Sequence, residues 1–390
     1  MSQHSLALPS QKGKFTLSPD ITYLNCAYMS PLMKSVEEAG IKGLKLKRSP
    51  EQVGHRAFFG EVEDLRKAYA KLIQTPDHSR LVVIPSVSYG MAVVARNLPI
   101  GQGENVVVTG EQFPSNVYIW QKLTAEKKAI LKTIDAPLQT KERGKKWNEN
   151  ILEAIDNKTR LVAIAHVHWS DGTRFDLKAI RERTKEVGAL LVVDGTQSVG
   201  ALAFDVDEIQ PDALICAGYK WLMGPYAIGM AYFGPYFDEG DPLEEGWISR
   251  FGSEDFTNLV NYQDCYQPGA LRYEVGERSN FILVPMLLQA LKELDAWGVQ
   301  NIQTYCQRLN EPILSTLLEY GFQIEDPTFR GHHLFGVRLP EKVAMSKLQE
   351  HLQREQVLVS VRGNSVRIAP HLYNEAEDMQ KLLACFRAVV

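Results

Sequence analysis

The chain has 390 residues, 45% of them hydrophobic, with 43 Lys and Arg against 47 Asp and Glu for a formal net charge of −4. That length and apolar content allow a large core shared by two domains and leave little room for a third. The slight negative balance argues against a general polyanion binder, and the short mixed basic runs at 45–48 and 141–146 read as solvated faces with no nucleic-acid motif beside them.

In chain order, the first fifteen residues are polar with scattered lysines, so no secretory leader is expected, and no apolar run of eighteen residues predicts a membrane span. From about Arg80, apolar strands alternate with helical stretches: LVVIP, NVVVT, RLVAIAHV, ALLVVD, ALICAG and GMAYF. Such alternation predicts an α/β fold with a mainly parallel sheet covered by helices on both faces. Ligands of such sheets gather at the C-terminal strand ends, where Ser86-Val87-Ser88, Phe113, His168, Asp194 and Lys220 fall. Beyond about Gly276, FILVPMLLQALKELDAWG predicts a long amphipathic connector helix with a proline inside. GHHLFGVRLP, VLVSVRG and SVRIAPH then predict short strands, with helices around MSKLQEHLQRE and EAEDMQKLLACFRAV, making a small α+β unit. The expected division is 1–32 as an N-terminal segment, 33–276 as the large domain, and 277–390 as connector and small C-terminal domain.

The strand-end residues carry the chemistry. A carboxylate such as Asp194, ending a buried strand, suits a protonated ring nitrogen, and a lysine such as Lys220, ending the neighbouring strand, suits an imine; pyridoxal phosphate needs both. A lysine with an ordinary pKa near 10.4 is almost fully protonated at neutral pH, so an imine-forming lysine needs desolvation or a nearby cation, and Lys220 lies beside Tyr219 and Trp221-Leu222-Met223. Alone, Lys220 could be a strand-end lysine reaching solvent and Asp194 a turn or capping residue. Ser86-Val87-Ser88 precede the helical run MAVVARNL, so hydroxyls and free N–H groups meet at a helix N-terminus, a setting for phosphate as well as an ordinary N-cap.

The stretches VVDGTQSVGA, AGYKWLMGPYAIGMAYF and VRIAPHLYNEAEDM resemble the class V aminotransferase family of fold-type I pyridoxal-phosphate enzymes, from YLNCAYMSP to the C-terminal helix. The resemblance implies the three-layer fold-type I transferase architecture and a set of site residues. Tyr219 would reach the phosphate. Phe113 would stack on the cofactor ring, with Pro114 or Ser115 as alternatives, and His168 and Gln197 would approach the cofactor's phenolic oxygen. Trp169 would line the substrate pocket, Arg367 would bind the α-carboxylate, Arg362 would be a second anion contact, and Asn25 and Ala27 would belong to a strip closing over substrate. Arg278, Ser279 and Asn280 would reach the phosphate site of a partner subunit in a homodimer. His166 is expected on the other face from His168, and neither His166/His168 nor His332/His333 has metal partners, so no metal is expected.

Five cysteines without paired spacing suit a reducing cytoplasm, Cys216 and Cys385 reading as core. VLVSVRGNSVRIAP has no cysteine where a desulfurase of the family carries its mobile thiolate; Cys265 lies elsewhere. The leading expectation is therefore an aminotransferase acting on an α-amino acid through an imine and an α-carbanion. The alternatives are a cysteine or selenocysteine lyase, an epimerase, and a non-catalytic cofactor-binding protein.

Overall fold

The computed structural model describes residues 8–138 and 141–390, so residues 1–7 of the expected N-terminal segment lie outside the described residues. A short strand, β1 (Thr22–Tyr23), precedes helices α1 (Lys34–Leu46) and α2 (His55–Leu72). Strands and helices then alternate: β2 (Leu81–Ile84), α3 (Val87–Arg96), β3 (Asn105–Thr109), α4 (Tyr118–Lys127), β4 (Ile130–Ile134), α5 (Arg143–Ala154), β5 (Thr159–Ala165), α6 (Leu177–Val187), β6 (Leu190–Asp194), the single turn α7 (Val206–Ile209), β7 (Ala213–Ala217) and β8 (Gly229–Phe233).

Strands β2 to β8 form one seven-stranded sheet in the order β2-β8-β7-β6-β5-β3-β4. Only β8 runs against its neighbours. Mostly apolar residues, aliphatic in β2, β3 and β7 and Met230, Ala231, Tyr232 and Phe233 in β8, occupy both faces of these strands, which are buried throughout, as a sheet covered by helices on both sides requires. The sequence reading omitted β4. Only Ile130-Leu131 starts it with a hydrophobic pair, and its edge position admits Lys132, which reaches out to Asp156 at 2.8 Å.

The chain continues through α8 (Leu283–Trp297), α9 (Val299–Glu319), β9 (Gln323–Ile324), β10 (Phe335–Arg338), α10 (Met345–Arg354), β11 (Val357–Leu358), β12 (Ser360–Arg362), β13 (Ser365–Ile368) and α11 (Ala376–Arg387). An antiparallel sheet, β12-β13-β10-β9, encloses its own apolar cluster around Phe335, Val337, Ile368 and Leu383. β1 pairs in parallel with β11, Thr22 opposite Val357. Two expectations change here. Pro285 stands in the first turn of α8, where a missing N–H removes no intrahelical bond. The segment VLVSVRG, read as one strand, is divided into β11 and β12 because the first pairs with β1 and the second with β13.

Candidate active site

β2, β3, β5, β6 and β7 all point the same way, so the segments leaving their C-terminal ends meet along one edge of the sheet. There they enclose a cavity of about 280 Å³, lined by Ser86, Val87 and Ser88 after β2, Phe113 after β3, Val167 and Trp169 after β5, Asp194 and Gln197 at β6, and Tyr219 and Lys220 after β7. Local hydrogen bonds hold the two central groups. Gly195 N–H donates to Ile215 O at 2.9 Å, and Ala217 N–H donates to Thr196 Oγ1 at 3.1 Å, stitching the Asp194 turn to β7. After β7 the chain doubles back, Gly218 N–H donating to Ile228 O at 2.8 Å, so Lys220 projects from a closed loop.

Lys220 is 5% exposed and Asp194 is 7% exposed. Burial lowers the Lys220 ammonium from 10.5 to about 8; Asp194 opposes that effect, while Arg367 and Arg362 reinforce it. Burial likewise raises the Asp194 carboxyl above its usual range, against the pull of Thr196 and Lys220. Thr196 N–H donates to Asp194 Oδ1 at 2.9 Å, but no cation forms an ion pair with Asp194 among the described residues. Lys220 Nζ has no hydrogen-bond acceptor among them either; its neighbours are the rings of Phe113 and Tyr219, with centroids 5.1 and 5.5 Å away. Ser86 caps α3, its Oγ accepting from Tyr89 N–H at 3.2 Å. Gln197 donates from Nε2 to Ala27 O at 3.1 Å and accepts at Oε1 from Trp221 Nε1 at 2.9 Å.

His168 does not line the cavity. Ala165, Val167 and Trp169 face it, so strand alternation turns both His166 and His168 away, rather than placing those histidines on opposite faces. His168 is 1% exposed, with Nδ1 2.9 Å from Ser170 Oγ and 3.5 Å from Asp171, Nε2 3.2 Å from Gly110 O, and its ring edge-on to Trp147. Asp171, pushed up by burial, is pulled well below the usual carboxylate range by His168, Arg143 and Arg338.

Trp169 links the cavity to the small sheet. Its indole N–H donates to Glu111 O at 2.6 Å, and its ring is edge-on to Phe113 at 5.5 Å. Arg367, on β13 and 1% exposed, donates from Nη1 to Trp169 O at 2.6 Å and from Nη2 to Ser360 Oγ at 3.3 Å and Asn25 Oδ1 at 3.5 Å. Burial and the neighbouring Arg362 lower its proton affinity to about 10. Arg362 lies over the Trp169 ring, its Cζ 5.0 Å from the centroid.

Ser279 and Asn280 are not brought to this cavity within the chain. They border a separate one of about 430 Å³ with Lys47, Phe58 and Trp247. Ser279 Oγ donates to Phe58 O, and Asn280 Oδ1 accepts from Leu283 N–H at 2.9 Å at the start of α8, which holds the segment there. Arg278 is buried against Glu274. Sequence reasoning missed Gln112, Thr196, Tyr226 and Ile228 in the lining. Thr196 lies inside the quoted DGTQ and Tyr226 inside GPYAIG, so proximity to Asp194 and Lys220 was the available signal.

Pyridoxal phosphate combines a basic ring nitrogen, an amine-capturing aldehyde and a phosphate. Among the described residues, the cavity offers a buried carboxylate with no ion-pair partner, a buried amine with no hydrogen-bond acceptor and the N-terminus of a ten-residue helix, so the residues fit the group. The family model Aminotransferase class-V matches residues 46–387. A Bacillus subtilis (strain 168) protein described as the uncharacterized aminotransferase YcbU is 29% identical over 321 residues, 82% of this chain and 81% of that protein. A cysteine desulfurase of Shigella sonnei (strain Ss046) is 30% identical over 264 residues, 66% of this chain and 62% of the other. Among solved structures, a complex of the cystine C-S lyase C-DES with its product cysteine persulfide has a TM-score of 0.82 at 20% identity, covering 94% of this chain and 97% of that one.

Proposed function

Since the chain belongs to the aminotransferase class-V family of pyridoxal-phosphate enzymes, we propose that it acts on an α-amino acid and that its reaction is transamination. The observation that carries this reading is the pair Asp194 and Lys220, buried at one cavity with no ion-pair partner for the first and no acceptor for the second among the described residues. Pyridoxal phosphate, when bound, supplies an aldehyde that captures amines and a ring that withdraws electrons from the substrate α-carbon. Asp194 holds a proton at the ring nitrogen. Lys220, with its proton affinity lowered to about 8, has a neutral fraction on the order of one tenth at pH 7. Its Nζ is the amine that would hold the cofactor's aldehyde, and as a free base it would move a proton at the substrate α-carbon. Ser86, Val87, Ser88 and Tyr219 would hold the phosphate, and Phe113 and Gln197 would hold the ring. Arg367 takes the α-carboxylate, Asn25 and Trp169 orient that arginine, and Ala27 closes the strip beside Gln197.

Transamination is favoured over sulfur release by the cysteines. None of the five lines the cavity; Cys26 is buried, with burial pushing its thiol up to about 12, and Cys265 is exposed elsewhere. A lyase is the second reading, supported by the desulfurase and C-S lyase among the similar proteins. A visible-spectrum screen of the purified protein against L-amino acids, with products identified by mass, separates them. A keto acid with the cofactor in its amine form supports transamination, and alanine with released sulfur or selenium supports the lyase. Lys220→Ala should abolish the cofactor's band near the visible edge; persistence of that band would remove Lys220 from its role.

Arg278, Ser279 and Asn280 reach the partner's phosphate site in a homodimer on this reading. Their separation from the Lys220 cavity of their own chain supports it, and a fully active monomer in sedimentation would exclude it. The five free cysteines support a cytoplasmic location.

A further inference from the structure

Resting on that reading of the cavity as a cofactor site, we propose that His333, which lies outside its lining, is a positioning residue for it: bonded to Gln197 O and packed on Trp221, it fixes the Gln197 amide so that one N–H is left for the cofactor. Gln197 lines the cavity and is buried. His333 enters from the segment ahead of β10, 136 positions along the chain, and its Nε2 lies 2.9 Å from Gln197 O.

The direction of each bond follows from groups that act in only one way. His332 N–H is a donor only and meets Gln303 Oε1 at 3.0 Å, so the other end of that amide is Nε2. Gln303 Nε2 donates to Ala201 O at 2.5 Å and to His333 Nδ1 at 3.0 Å. Nδ1 is therefore the acceptor of the ring, the proton sits on Nε2, and Nε2–H donates to Gln197 O. Burial lowers the His333 imidazole to about 4, against the pull of Gln197 O, so the ring is neutral at pH 7 and carries that single N–H. Gly331 leaves room for it, since a Cβ there would meet Nδ1 at 2.5 Å.

Trp221, the residue after Lys220, fixes the other half of Gln197. Its indole N–H is a donor only and reaches Gln197 Oε1 at 2.9 Å, which leaves Nε2 to face Ala27 O at 3.1 Å. Nε2 carries two hydrogens and Ala27 O takes one, so the second remains for an acceptor in the cavity. The indole is held in turn by the His333 ring, edge-on at 4.6 Å, and both rings are fully buried. His333 thus holds Gln197 twice, at the backbone directly and at the side chain through Trp221. His371 is the contrast: it is buried 6.0 Å from the same indole, yet neither of its ring nitrogens has a partner among the described residues.

The test follows the cofactor's band in the loaded enzyme against pH. A hydrogen bond to the ring oxygen stabilises its anionic form, so losing that bond should raise the pH midpoint of the band. In His333→Leu the midpoint should rise by about half a unit or more, the weight of one ordinary hydrogen bond, and kcat should fall about threefold with KM changed less. His333→Gln, which keeps an Nε2 donor, should restore most of both. His371→Leu, which alters packing on the same indole and removes no side-chain hydrogen bond, should leave the midpoint in place. An unmoved midpoint in His333→Leu, or equal shifts in all three variants, overturns the role. A second readout needs neither cofactor nor turnover: nitrogen NMR of the cofactor-free protein, with the His333 signals identified by their loss in His333→Gln, should find the proton on Nε2. A proton on Nδ1 overturns the proposal even where His333→Leu does not fold. If the wild type shows no cofactor band at all, the reading of the cavity falls and takes this role with it.

Discussion

Lys220 illustrates how one side chain sets a pH dependence. Its folded-state pKa of about 8 lies below the ordinary 10.5, so between those values the unfolded chain binds more protons than the folded one. The resulting penalty is complete below about pH 8 and fades as pH rises toward 10.5, with a size on the order of 3 kcal/mol. In cofactor-free protein, Lys220→Met should therefore raise the melting temperature at pH 6 to 7, with the gap closing at higher pH. A gap that is constant across that range would mean that the buried amine carries no such penalty. His168 teaches a different lesson at this scale. Position by family resemblance put it at the cofactor, whereas counting residues along the strand puts it with His166 on the face turned away, and that parity was readable in the sequence.

Among elements, the turn after β6 is tightly constrained. Gly200 has φ +103, and a Cβ there would meet Trp221 O at 2.1 Å, directly beside the Lys220 loop. Gly200→Ala should cost at least about 2 kcal/mol, because strained backbone and a backbone clash act together. Urea unfolding would register the loss, and the cofactor's absorbance would report the displaced lysine; an unchanged midpoint would mean that the turn can relax. The long parallel strands were legible because their apolar runs are buried on both faces. β4 and α9 were not, the first because an edge strand tolerates lysine and threonine, the second because Gly298 separates it from α8 by a single residue.

At the scale of the molecule, Asp171 joins the two sheets. Its carboxylate accepts from Arg143 on α5 at 2.7 Å and from Arg338 on β10 at 2.5 Å, and it lies 4% exposed in the loop that carries Trp169. Asp171→Asn leaves two guanidiniums without their counter-ion and should cost about 3–5 kcal/mol at pH 7. Because the folded-state pKa lies below the ordinary 3.8, the contribution is present above about pH 4 and is lost as pH falls through the folded value. Denaturation curves at pH 7 and pH 3 should thus show the variant losing less stability on acidification than the parent. Equal losses would place the acid sensitivity elsewhere.

The order of apolar strands, the Asp194 and Lys220 strand ends and the family were legible in the sequence by itself, because each rests on residues close together in the chain. The α/β class followed from runs that can be buried only between two layers of helices. Tertiary structure decided the rest. Arg367 meets Trp169 across 198 positions, and Arg362 shares that ring only because β12 and β13 pair. Ser279 and Asn280 are held away from Lys220 by a bond to α2 and by the cap of α8. Such contacts depend on how distant segments pack, and local pattern contains no term for that.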